Sequence, residues 1–181
     1  MKTYTHVVLM LTLSVTAACT TPKVILPGVD ERTPPDSFEV KLNSVPLTEY
    51  RVSHTSTIFR DIPVKKQNIV LAKVQDSRDG VSEISISIHV ECHGAPYGSP
   101  PAPVFSKTEF VTASDAETAG PGDEVDIYRL AALNFRLYDV ESRCEYERTE
   151  LPWHAKILVT GKNYFNRPHT KIYHADLHPI R

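Results

Sequence analysis

Little in this chain favours helix or loose coil, and its shortages narrow the class quickly. Seven glycines in 181 residues leave few freely bending positions, and there is one tryptophan and only two methionines. Fourteen prolines with few Ala/Leu-rich runs argue against a helical bundle and for a loop-rich β protein. Acids and bases nearly cancel at a formal charge of −2, and no dense Lys/Arg run supplies a local field that would recruit nucleic acid. The apolar run near the N-terminus is too short to span a bilayer. The sequence contains no HExxH, GxSxG, phosphate loop, dinucleotide fingerprint, CxxC or CxxCH, so nothing local supports enzymatic chemistry or a bound cofactor. Three cysteines are an odd number, which matters below. The length suits a short leader followed by one domain with a single core.

The clearest pattern present is residues 81–92. Ile84, Ile86, Ile88, Val90 and Cys92 alternate with Glu83, Ser85, Ser87, His89 and Glu91. Period two with β-branched inward positions predicts a strand with one face in a core and one in water. Further strands are predicted at 37–42, 49–53, 57–62, 68–75, 104–112, 134–147, 153–160 and 171–176, separated by turn residues. Asp79-Gly80 reads as a hairpin signal between 68–75 and 81–92. Ser114-x-x-Glu117 fits a capping box for one helical turn over 115–119. Residues 123–133 suit either a helix, from Ala131-Ala132, or an edge strand, from Val125, Ile127 and Arg129.

The first residues look like an export signal. Lys2 and His6 precede an apolar stretch from Val7 to Val15, which ends in Thr16-Ala17-Ala18-Cys19. Small residues directly before a cysteine resemble the lipobox of bacterial lipoproteins, although Thr16 stands where that family usually has Leu or Val. The resemblance covers only the first twenty or so residues. It implies that 1–18 is a signal peptide removed after Ala18, and that Cys19 carries covalent lipid, diacylglycerol and an N-linked acyl chain such as palmitate. Thr20, where Asp would signal inner-membrane retention, implies the periplasmic face of the outer membrane. Residues 19–36 then read as a Pro-rich tether, able to hold the body up to about 50 Å from the lipid if fully extended; Val24, Ile25 and Leu26 could instead pack on the body. The body is 37–181.

With Cys19 taken by lipid, two cysteines remain. Cys92 is in phase with the isoleucines, and in the expected strand 134–147 Cys144 shares a face with Tyr138, Val140, Ser142 and Tyr146. Two inward cysteines in an exported chain are expected to pair. The expected fold is an antiparallel β-sandwich, Ig-like or transthyretin-like in shape, with one disulfide and at most one or two short helical segments. Trp153 lies after both cysteines rather than between them, so a true immunoglobulin domain is not indicated.

Strands 153–160 and 171–176 should pair, which places His154 opposite Asp176 or His178 and puts His174 on the same outward face. These four residues are candidate Zn²⁺ or Cu²⁺ ligands, although His174 and His178 stand about 13 Å apart on one strand and cannot share an ion. An ordinary solvated His–Asp face is the alternative, and metal is not the expectation. The acidic stretch 115–126 lacks the ligand spacing of an EF-hand. Tyr97, on the proline-rich loop 93–103, is a candidate contact residue. So are Tyr164, Phe165 and Arg167 at the tip of the last hairpin. The expected function is a non-enzymatic, lipid-anchored envelope module that binds a protein partner, such as an accessory subunit of a secretion system. An immunity or inhibitor lipoprotein and a metal or small-ligand carrier are the alternatives.

Overall fold

The structure, a computed structural model, describes residues 21–29, 33–50, 59–91, 105–144 and 152–180. Strands β1 (Lys23–Ile25), β2 (Ser37–Leu42), β3 (Val45–Pro46), β4 (Arg60–Val64), β5 (Gln67–Gln75) and β6 (Glu83–Glu91) come first. They are followed by β7 (Phe105–Thr112), β8 (Glu124–Asp126), β9 (Tyr128–Arg136), helix α1 (Leu137–Cys144), β10 (Trp153–Lys162) and β11 (Pro168–Pro179). The molecule is mainly β. Its strands form a five-stranded sheet in the order β4-β11-β10-β6-β7, a four-stranded sheet β3-β2-β5-β9 and a small β1-β8 pair. Pairing is antiparallel, except that β4 runs parallel to β11.

Alternation in the sequence sets which face is buried. In β6, Ile84, Ile86, Ile88 and Val90 are fully buried, as are Ala155, Ile157 and Val159 of β10, while Tyr173, Ala175 and Leu177 of β11 are buried beside them. These residues share one apolar cluster with Val40, Leu42, Val70, Val74, Leu133 and Phe135 of the four-stranded sheet. The two sheets approach closely at Gly161, where an added Cβ would run into the Val74 side chain.

Four expectations change. The segment expected to be one strand over 134–147 switches to helix after Arg136. Leu137 and Val140, three apart, are the buried pair there, and Tyr138 between them is exposed. Three-residue spacing fits a helix, and Asp139 in the first turn suits the helix's positive end. Cys144 is therefore not on a strand, and the alternation that turned it inward does not apply; its side chain and all of Cys92 lie outside the described residues.

The Asp79-Gly80 turn does not join two paired strands. β5 belongs to the four-stranded sheet and β6 to the five-stranded one, so the turn carries the chain from sheet to sheet. Asp76 Oδ1 accepts the Arg78 and Asp79 amides at 3.0 Å each, which tightens the turn. Gly80 has φ +62, and a Cβ there would lie 2.9 Å from the Asp126 carbonyl oxygen. The capping-box residues form turns rather than helix, with the Thr118 and Ala119 amides donating to the Asp115 oxygen at 3.0 and 2.9 Å.

Residues 123–133, open between helix and strand, are β8 and most of β9. Part of the expected tether is docked. β1 pairs with β8, Leu26 is buried, and the Leu26 amide donates to the Asp123 oxygen at 2.8 Å.

Candidate functional site

The histidine cluster forms on the outward face of the five-stranded sheet. The β10–β11 register sets His154 opposite Asp176 and Lys156 opposite His174. His154 Nδ1 lies 3.1 Å from Asp176 Oδ1, and His154 Nε2 lies 2.7 Å from His174 Nδ1. A carboxylate only accepts, so His154 donates from Nδ1, while the direction of the His154 Nε2–His174 Nδ1 bond follows from the tautomers of the two rings. The result is a hydrogen-bonded chain linking His174, His154 and Asp176.

Two aromatic residues cover this chain. Phe59 stacks on His174 at a ring distance of 5.2 Å and reaches His154 at 4.5 Å, while Tyr50 lies tilted against His174 at 4.4 Å. Tyr50 is held there by its amide, which donates to the Ile172 oxygen at 2.7 Å. Phe59 immediately precedes β4, whose edge pairing with β11 sets its position.

Burial, then the neighbouring His154 and Lys156 charges, hold His174 down to about 4 from its ordinary 6.5, against an opposing pull from Asp176. Tyr173, on the core side, is pushed up to about 12 by burial and by Glu49. Between pH 6.5 and 4 the unfolded chain binds a proton at residue 174 that the folded chain does not, so stability falls as pH drops through this window. The full shift would correspond to about 3 kcal/mol, which partial solvent access reduces to on the order of 1 kcal/mol. Urea unfolding at pH 7 and pH 4.5 should show wild type losing about 1 kcal/mol more than His174→Phe. Parallel losses in the two proteins would show that His174 is not the source.

His178 stands apart from the cluster, its Nε2 3.0 Å from Asp61 Oδ1 on the exposed β4 edge. The four residues singled out as candidate metal ligands thus divide into a connected chain of three and His178, which pairs instead with Asp61. Among the described residues, no group of three or more His, Cys, Asp or Glu is arranged to hold a metal ion. Tyr50, Phe59 and Asp61 are parts of this region that pattern reading missed. The aromatics flank residues 51–58 in sequence, and it takes the Tyr50–Ile172 backbone bond and the pairing of β4 with β11 to bring them over the imidazoles.

The tip of the β10–β11 hairpin is folded onto the body rather than projecting from it. Tyr164 donates to Asp115 Oδ1 at 2.7 Å, and burial together with that carboxylate pushes its hydroxyl well above the usual tyrosine range. Phe165 and Arg167 are half-buried. Their backbone amides donate to Asn163 Oδ1 at 3.1 and 2.9 Å. Tyr97 lies outside the described residues.

A second feature lies on the outward face of the four-stranded sheet. An open groove of about 490 Å³ is lined by Leu71, Leu130, Ala132 and Val111, with Glu39, Lys41 and Lys73 on its walls. Its signal was present in the sequence, because β5 and β9 carry Leu71, Leu130 and Ala132 at outward positions where β6 has polar residues.

No family model matches the chain, and no curated protein does. Among solved structures it is similar to a mutant β-glucosidase from Listeria innocua in complex with laminaribiose, at 11% identity and TM-score 0.37, over 78% of this chain and 16% of that one. It is similar to the C-terminal domain of wzt at 10% identity and TM-score 0.35, over 89% of this chain and 78% of that one. A third likeness is to a Niemann-Pick type C2 protein from the Japanese carpenter ant, at 12% identity and TM-score 0.33, over 88% and 96% of the two chains. The chain thus spans about a sixth of the β-glucosidase. Likenesses this distant carry no activity across.

Proposed function

We propose that this chain is a lipoprotein of the bacterial envelope, acylated at Cys19 and held on the periplasmic face of the outer membrane, and that it acts by binding another envelope protein rather than by catalysis. In this reading the two sheets make an antiparallel β-sandwich closed by a Cys92–Cys144 disulfide. The observation that carries it is the state of the best-equipped polar cluster. Asp176, His154 and His174 are hydrogen-bonded to one another in series beneath Tyr50 and Phe59, which suits a clamp on the sheet edge.

Exposed aromatics supply the contact chemistry. Phe110 on β7 and Tyr138 on α1 are about two-thirds or more exposed, and amphipathic or aromatic side chains in that position favour protein contacts. Tyr97, Phe165 and Arg167 join them as contact candidates. The test is crosslinking in intact cells followed by purification of the full-length protein. A defined envelope protein should be recovered with wild type and depleted with the Phe110→Ala/Tyr138→Ala double variant. Recovery of the chain alone would overturn the reading, and capture of a toxin or envelope hydrolase would reassign the chain as an inhibitor.

A further inference from the structure

The docked β1 limits how far the body can stand from its anchor. β1 pairs with β8 so that Lys23 faces Asp126 and Ile25 faces Glu124, and the Ile127 amide donates to the Pro22 oxygen at 3.0 Å. Running back from Pro22, three residues lead to Cys19; running forward from Ile127, three lead to Leu130. Three extended residues reach no more than about 10 Å. The anchoring residue is therefore tied close to the start of β9, the strand that carries Leu130.

Leu130 belongs to the apolar groove. Two cross-strand rows define the surface there, Lys41–Leu71–Ala132 and Glu39–Lys73–Leu130. Leu130 is 60% exposed and Leu71 40%. On the neighbouring β1, Ile25 is 67% exposed and Lys23 is exposed. Apolar side chains flanked by lysines are the composition of a surface that lies in a membrane interface. The aliphatic groups enter the headgroup boundary and the ammonium groups meet anionic lipid. Glu39, across from Lys73, is the one acid lining the groove.

We infer that the outward face of the four-stranded sheet rests on the same membrane that holds Cys19, with Leu71, Leu130 and Ala132 against the lipid and Lys41 and Lys73 against its anionic headgroups. The body lies flush on the bilayer instead of standing off on a long tether. This inference rests on the proposed acylation of Cys19.

The test uses the full-length protein expressed in cells, with p-benzoylphenylalanine in place of Leu130 or, separately, of Thr170. Thr170 is exposed on the outward face of the other sheet, where its hydroxyl lies 2.7 Å from that of Thr160. After irradiation, the position-130 protein should crosslink to phospholipid at least about fivefold more than the position-170 protein. Mass spectrometry of the N-terminal peptide from the same samples reports acylation. An acylated Cys19 with equal lipid crosslinking at both positions overturns the inference and leaves the anchor standing. Crosslinking of position 130 to a protein overturns it in favour of a protein-docking groove. An unmodified Cys19 overturns the anchor and the inference with it.

Discussion

Asn163→Asp should destabilise the protein by about 3 kcal/mol at pH 7, a loss read from urea unfolding. Asn163 is completely buried in the last hairpin and makes four side-chain hydrogen bonds. Its Nδ2 donates to the Thr33 oxygen at 2.9 Å and to Asp79 Oδ2 at 3.2 Å. Its Oδ1 accepts the Phe165 and Arg167 amides, closing the tip, while its own carbonyl takes the Ser82 hydroxyl at 2.7 Å. One side chain therefore ties the β10–β11 hairpin to the turn between sheets and to the segment entering β2. Aspartate keeps the acceptor for the tip but removes the donor to Thr33, and it sets a second carboxylate beside that of Asp79. Depriving the buried Asp79 carboxylate of the same donor costs about 1–3 kcal/mol, and the like charge adds to this. Asn163→Ser, which retains a hydroxyl donor but loses reach, should fall between wild type and the aspartate variant. A loss below about 1 kcal/mol for Asn163→Asp would mean that the tip is not held through this residue.

Asn163 also shows where sequence reading stops. Residues 163–167 are polar, aromatic and basic at a hairpin end, the composition of an exposed tip. Nothing in their order announces that Thr33, Asp79 and Ser82, each at least 80 positions away, converge on the side chain and carbonyl of one residue. The strands themselves were legible wherever one face is buried and the other wet. β6 follows its alternation residue for residue, and parity along β10 and β11 restricted His154 to Asp176 or His178 as partner; the register selects Asp176.

Parity could not say which strands share a sheet. Asp79-Gly80 looks the same in a hairpin and in a crossing between sheets, because the turn chemistry is local and the pairing partners are not. The change from strand to helix at Leu137 was hidden for a different reason. Tyr138, Val140 and Ser142 satisfy a period of two, and only the burial of Leu137 with Val140 reveals a period nearer three. In β5 and β9 the apolar outward residues were visible as letters, but they acquire meaning only when the pairing of these two strands aligns Leu71, Leu130 and Ala132 into one groove.

The disulfide expectation must now stand on different ground, and it predicts a large effect. Strand alternation cannot orient Cys144, which ends helix α1. The argument that remains concerns which ends of the elements meet. Cys92 directly follows β6, whose Val90 pairs with Phe105 at the start of β7. The Phe105 ring lies 6.0 Å from that of Phe135, near the end of β9, and α1 begins two residues later. α1 also packs against both β7 and β9. The end of β6 and the helix carrying Cys144 are thus brought to one end of the molecule by paired and packed residues, independent of either cysteine. A bond there would close a loop of about fifty residues and contribute roughly 4 kcal/mol through the unfolded chain. For a protein of this size that corresponds to a fall in Tm of roughly 8–16 °C on reduction. On the proposed export of the chain, the natively expressed protein should show no thiol that alkylates before reduction, and a Cys92→Ser/Cys144→Ser variant should melt at the reduced temperature whether or not reductant is present. Two alkylatable thiols in the folded body, or a variant melting as wild type does, would remove the disulfide from the fold and with it the strongest link between this chain and an oxidising compartment.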